Sequence, residues 1–213
     1  MKTILIASAF LALSMIQLQG QNPSVQEKNS IRSGTTYRYS LSTTYLSFVN
    51  FGNEKTNTHH YEFHFKYQLT PKDRIGIKVA TWQLFAPMGI QLWDPDFLNE
   101  KEFFPGRLKE CGIGFSYQRT LWKGLFATVE VLPLCKTYLN EDKKNIGNGF
   151  KLYTTYHLGY HVSLLKDRFF IEPQIHCNYW PINTKGPDSF DSKEMQWNNY
   201  FLFEANLYLG VNF

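Results

Sequence analysis

After its N-terminal stretch the sequence holds no apolar run long enough to cross a bilayer as a helix, which takes about 20 residues. That excludes a helical membrane protein. Basic clusters are also missing. The formal net charge is only +4 and the charges are scattered, so nucleic acid is excluded as a partner. Cysteine is scarce. Cys111, Cys135 and Cys177 show no CxxC or other metal spacing, and an odd count cannot be fully paired within one chain. No internal repeat, low-complexity segment or second domain is visible. What the sequence does have is aromatic residues, 17% of the total, set in segments that alternate between apolar and polar.

The start, MKTILIASAFLALSMIQLQGQ, carries Lys2, an apolar run from Ile4 to about Met15, and then small and polar residues. This pattern predicts a signal peptide over 1–20, cleaved near Gly20–Gln21, with no cysteine placed for a lipid anchor. A polar, flexible segment follows over 21–33, and a single domain fills 34–213. Eight alternating segments occupy about 34–50, 59–69, 75–86, 107–119, 124–137, 150–164, 169–181 and 198–213. In the second, for example, Tyr61, Phe63, Phe65, Tyr67 and Leu69 oppose His60, Glu62, His64, Lys66 and Gln68, because side chains alternate with period two. Short turns at 70–74, 121–124 and 165–168 alternate with longer polar loops near 51–58, 87–106, 139–149 and 182–196. Short turns at one end and long loops at the other is the asymmetry of membrane barrels. A soluble lipocalin-like barrel shares the strand count and the alternation, and differs in which face points outward.

The C-terminal segment decides between them. Phe201, Phe203, Ala205, Leu207, Leu209, Val211 and Phe213 lie on one side of it, with Leu202, Glu204, Asn206, Tyr208, Gly210 and Asn212 on the other. This ending resembles the last strand of bacterial outer-membrane β-barrels, whose terminal Phe and preceding alternate apolar residues are read by the barrel assembly machinery. Here that signal maps onto Leu207, Leu209, Val211 and Phe213. The mature chain as a whole resembles the OmpA/OmpX-type transmembrane barrels. The resemblance implies an all-β, eight-stranded, antiparallel, up-and-down transmembrane β-barrel in the outer membrane of a Gram-negative cell, in contact with outer-membrane lipids. Aromatic girdles are expected at Trp122 and Phe169 near the turns, and at Tyr179, Trp180, Trp197 and Tyr200 near the loops.

The polar face carries Glu62, Lys66, Lys78, Glu110, Glu130, Lys136, Lys151, His157, His161, Glu172, His176 and Glu204. An eight-stranded barrel is just wide enough for side chains to fill it, so these charges are expected to pair as a plug. With Lys123 central in its turn, Glu110 faces Lys136, Ser116 faces Glu130 and Cys111 faces Cys135, leaving a disulfide or two free thiols as alternatives. Around the 165–168 turn, His161 faces Glu172 and His157 faces His176. The analogous register sets Lys66 against Lys78, with Glu62 or Glu204 to neutralise them.

His161-Val162-Ser163 with Glu172 resembles the His-x-Ser plus Glu arrangement of the outer-membrane lipid A deacylases. The match covers few residues, and Val162 and Leu164 would take the lipid face in its place. No catalytic residue, cofactor or metal is therefore assigned. The histidines 59, 60 and 64 do not share one strand face, and the acidic loop residues 94, 96, 100 and 102 match no ion-binding loop. The loop 87–106 is rich in apolar residues, which points to a partner surface, a lid over the barrel mouth, or strands extended above the membrane. The expected function is non-enzymatic, a structural or surface-interaction role through the loops. The alternatives are a narrow pore or small-ligand carrier using the lumen, and a lipid A-modifying enzyme.

Overall fold

The computed structural model describes residues 37–50 and 52–213. The signal peptide expected over 1–20, the segment 21–33 and the first residues of the barrel domain lie outside the described residues. Among the described residues nine strands form one antiparallel sheet: β1 (Tyr39–Thr44), β2 (Tyr61–Gln68), β3 (Asp73–Leu84), β4 (Arg107–Trp122), β5 (Leu125–Leu139), β6 (Asn145–Tyr160), β7 (Val162–Leu164), β8 (Phe169–Asn183) and β9 (Tyr200–Asn212). β6 and β7 are two lengths of one stave, parted at His161, and both pair with β8. Eight staves thus run up and down, each beside its neighbour in sequence. The ring closes where β1 pairs with β9, Leu41 opposite Val211. Tyr39 and Phe213 exchange backbone hydrogen bonds of 3.0 and 2.9 Å at that seam, and their rings stack.

The alternation in the sequence becomes an inside and an outside. On β2, Tyr61, Phe63 and Phe65 are exposed on the outer face while Glu62, His64 and Lys66 are buried inside. Ile75, Ile77 and Val79 of β3, Ile113, Phe115 and Tyr117 of β4, and Tyr156, Leu158 and Tyr160 of β6 continue the outer band. Tight turns at 69–72, 123–124 and 165–168 gather at one end. Lys123 and Gly124 have positive φ (43° and 94°), the backbone twist that joins antiparallel strands through two residues. Beside the first turn, Asp73 accepts hydrogen bonds from the hydroxyls of Thr70 and Tyr117 and from Arg119.

Several boundaries differ from the sequence reading. The first segment stops as a strand at Thr44 and turns into a short helix, α1 (Leu46–Val49). The 139–149 loop is a compact turn of 140–144, because β5 and β6 continue pairing up to Leu139 and Asn145. On β9 a bulge follows Glu204. Glu204 faces His176 but Phe201 faces Asn178, a shift of one residue taken up at Phe203, whose φ is 56°. The bulge turns Phe201 inward, against the interior cluster around Trp180, instead of outward with Ala205. Trp180 itself is 5% exposed and lies inside the barrel, not in an outer girdle.

The interior is layered. At the turn end, Phe126 and Phe170 are buried over the glycines of the facing strands, Gly159 and Gly210. Above them lies a band of charged and polar side chains. Nearer the loops, Ala80, Trp82, Leu132, Leu134, Tyr153 and Trp180 form an apolar cluster. The loop end is capped by Phe104, Leu108, Tyr138 and Phe190, the last from the helix α2 (Asp188–Glu194). A Cβ at position 210 would overlap the Phe170 ring. Gly210→Leu is therefore expected to lower stability by about 1–3 kcal/mol through overpacking. Urea titration of the refolded barrel measures this, and an unchanged midpoint would remove the glycine–aromatic seal from the account.

Candidate functional site in the barrel lumen

The inward-facing charges group into three knots. In the middle, Lys78 Nζ lies 2.7 Å from Glu130 and 3.0 Å from Glu62. Glu62 also accepts from the Tyr208 hydroxyl and meets His60 at 3.2 Å and His64 at 3.6 Å. Glu130 meets His64 and His157, each at 3.8 Å. Toward the turns, Glu172 gathers His161 Nδ1 at 2.9 Å, Lys66 at 3.3 Å and Arg74 at 3.6 Å, while Lys66 donates to Gln118 at 2.6 Å. Toward the loops, Glu110 takes Lys151 at 2.6 Å and the Trp82 indole N–H at 2.8 Å. Each of these carboxylates is buried and each has a cation beside it, as burial of charge demands.

The strand registers of the β4–β5 and β6–β8 hairpins follow the expectation, but the charge pairing does not simply follow the register. Glu110 is opposite Lys136 on the ladder. Their charges nevertheless part: Glu110 binds Lys151, and Lys136 reaches up to Glu194 at 3.1 Å and Asn183 at 2.7 Å. Ser116 is opposite Glu130, yet Glu130 turns across the barrel to Lys78. Lys66 and Lys78 do not face one another. The turn is centred on Pro71, so Lys78 is opposite His64 and Lys66 opposite Gly76. Long side chains in a narrow lumen reach partners on other staves as readily as those across one ladder. His157 and His176 do face each other, with ring centroids 4.5 Å apart. Cys111 and Cys135 are opposed on the outer face as free thiols.

The deacylase-like piece does not assemble into a relay. His161 is held by Glu172, Ser163 is exposed, and no hydrogen bond joins the Ser163 hydroxyl to His161 among the described residues. Leu207, Leu209 and Val211 lie on the outer side of β9, and Phe213 is 56% exposed against Tyr39 and Phe65.

The loop 87–106 folds inward as a lid. Gln91 donates to the Tyr200 carbonyl at 2.8 Å and accepts from the Leu202 N–H at 2.9 Å, and Ile90 and Phe104 are buried. Leu92, Trp93 and Leu98 stay exposed. Beneath the lid a cavity of about 460 Å³ descends into the lumen. Its sides are Leu46, Trp82, Leu84, Phe85, Met88, Phe97, Leu98 and Tyr153; its floor is Glu62, Lys78, Thr155, His176, Asn178, Glu204, Asn206 and Tyr208. A volume of this order suits a small ligand. Glu204 differs from the other inward carboxylates. It accepts from Asn178 Nδ2 at 2.8 Å and meets His176 Nδ1 at 3.9 Å, with no lysine or arginine within 4.0 Å among the described residues.

Sequence reasoning missed the partners that complete these knots. Tyr208 and Gln118 are inward by the same alternation that picked out the charges. Glu194 lies in a loop with no strand period to mark it. Leu132 and Leu134 sit in the unbroken apolar run Val131–Leu134, where alternation by polarity assigns no face.

Comparison with protein-family models, with curated protein sequences and with solved structures finds no match to this chain. The residues themselves carry the functional argument.

Lys78 is the hinge of the middle knot. Lys78→Met leaves Glu62 and Glu130 without their ammonium and should cost about 3–5 kcal/mol. Adding Glu130→Gln to that variant should recover part of the loss. Urea titrations of the three proteins provide the comparison, and equal stability of Lys78→Met and parent would show that the knot contributes nothing.

Proposed function

We propose that the protein is an integral outer-membrane barrel of the OmpA/OmpX type. Its lumen is plugged by its own side chains, and it acts at the cell surface through the loop cap. The observation that carries this reading is the inversion of the fold: large apolar side chains form the outer face of every stave, while lysines, glutamates and histidines are buried within. In water such an outer face would be far larger than the apolar patches that soluble monomers tolerate. In a bilayer it is the surface that lipid requires, and the ring closes through the pairing of β1 with β9. Trp122, Phe169 and Leu121 near the turns, with Tyr61, Tyr200 and Ile182 toward the loops, suit the two interfaces. The phenylalanine–glycine seal, the three charge knots and the lid support a non-conducting barrel, and so a binding or structural role over a pore. His161 acts as a structural partner of Glu172 in this reading and no reaction is assigned. The assembly machinery would read Leu207, Leu209, Val211 and Phe213 at the closing strand. The exposed Trp93, Leu92 and Leu98 of the lid are the surface offered to an envelope partner. The cavity beneath the lid favours a second reading, capture of a small ligand.

Val129→Arg and Leu158→Arg place a charge on the outer face of adjacent staves. Each is expected to lower refolding stability in lipid vesicles by about 2–4 kcal/mol. Planar bilayers containing the parent protein should show no steady conductance. Arg variants that refold as well as the parent would place the outer face in water and sink the membrane reading. Steady ion current would move the pore to first place.

A further inference from the structure

The cavity beneath the lid has a chemical polarity that selects its occupant. Its deep end is acidic. There Glu62 and Glu204 line the cavity beside one fixed cation, Lys78, which is already bound to Glu62 and, behind the lining, to Glu130. Glu204 is left with only neutral Asn178 and a distant His176, and its side chain is 34% exposed. Beside it stand two buried acceptors that nothing in the barrel satisfies among the described residues: Thr155 Oγ1 and Asn178 Oδ1, on residues 2% and 1% exposed. These groups are neighbours. Thr155 is opposite Asn178 on the β6–β8 ladder, and Asn178 Nδ2 already donates to Glu204. A buried polar atom without a partner costs free energy, so a donor at this spot is favoured. The sides of the cavity are Trp82, Tyr153, Phe85 and Met88, a largely aromatic wall that covers an apolar body.

We propose that this cavity binds a small organic amine. Its ammonium, with three donors and no acceptor, sits among Glu204, Asn178 Oδ1 and Thr155 Oγ1. Its apolar or aromatic body packs toward Trp82 and Tyr153 under the lid. An anion is disfavoured at this end by the excess of carboxylates, and a neutral molecule of the same shape leaves Glu204 uncompensated. The assignment deepens the surface-interaction reading by making the partner a small molecule, and it rests on that reading only for the side from which the ligand enters.

The test is calorimetric titration of the full barrel, folded in detergent, with three probes of one shape: 2-phenylethylamine, 2-phenylethanol and 3-phenylpropionate. The amine is expected to bind at least about tenfold more tightly than either other probe. Glu204→Gln should erase that preference, since a charge-assisted hydrogen bond is lost. Thr155→Val, nearly isosteric, should weaken the amine severalfold while leaving the alcohol unchanged. It carries the test alone if Glu204→Gln does not fold, as judged by the heat-dependent gel shift of intact barrels. Equal binding of amine and alcohol, preference for the carboxylate, no binding of any probe, or an amine preference that survives Glu204→Gln overturns the proposal. Insertion of the same preparation into vesicles is scored separately. A barrel that inserts but shows no amine preference refutes the site alone. One that prefers the amine but does not insert refutes the membrane reading alone.

Discussion

The ammonium of Lys78, shared between Glu62 and Glu130, is the contact on which the rest of the interior depends. Two carboxylates on different staves are buried at 2% and 1% exposure, and neither has another fixed cation beside it. Without Lys78 the two negative charges would repel across a lumen that water cannot freely fill. With it, staves β2, β3 and β5 are tied across the barrel, and the histidines His64 and His157 pack against the same pair. Such an interior is not a source of large net stability, since desolvation offsets much of the attraction. Its effect is on specificity: slipping any stave by one residue would carry its charges to the outer face and its aromatic residues inward.

That coupling of charge to register explains why much of the fold was legible in the sequence. Phe63 and Glu62 cannot exchange faces, so β2 announces its orientation, and the same holds for Ile77 with Lys78 and Leu158 with His157. The β4–β5 register followed from centring the turn on Lys123; the strands reach it through a two-residue turn, Trp122 opposite Leu125, and a one-residue shift between Thr120 and Trp122. The β2–β3 register did not, because Pro71 and not Lys72 is the centre of a looser turn. Tertiary choices were hidden as well. Lys136 and Glu110 are ladder neighbours, yet which carboxylate a four-carbon side chain reaches depends on Glu194 and Lys151, distant in sequence. Trp180 looked like a girdle residue because it stands among outward aromatics near a loop. It is inward because its even-numbered position simply continues the inner row of His176 and Asn178 along β8.

The cavity was least legible, since it depends on an irregularity. Alternation along β9 predicts Phe201 outside, and the bulge at Phe203 reverses it. Below the bulge the inner row is Glu204, Asn206 and Tyr208; above it comes Phe201, packed against the apolar cluster. Glu204 therefore stands at the boundary between the polar band and the apolar upper lumen. The two lysines above it, Lys136 and Lys151, are committed to Glu194 and Glu110, and the one below, Lys78, to Glu62 and Glu130. Among the described residues no lysine or arginine lies within 4.0 Å of Glu204. The cavity reaches this carboxylate, so that solvent or a bound cation can stand where the strands supply none. The bulge thus has two effects: it completes the apolar packing under the lid, and it leaves one acid of the lumen open toward the loops.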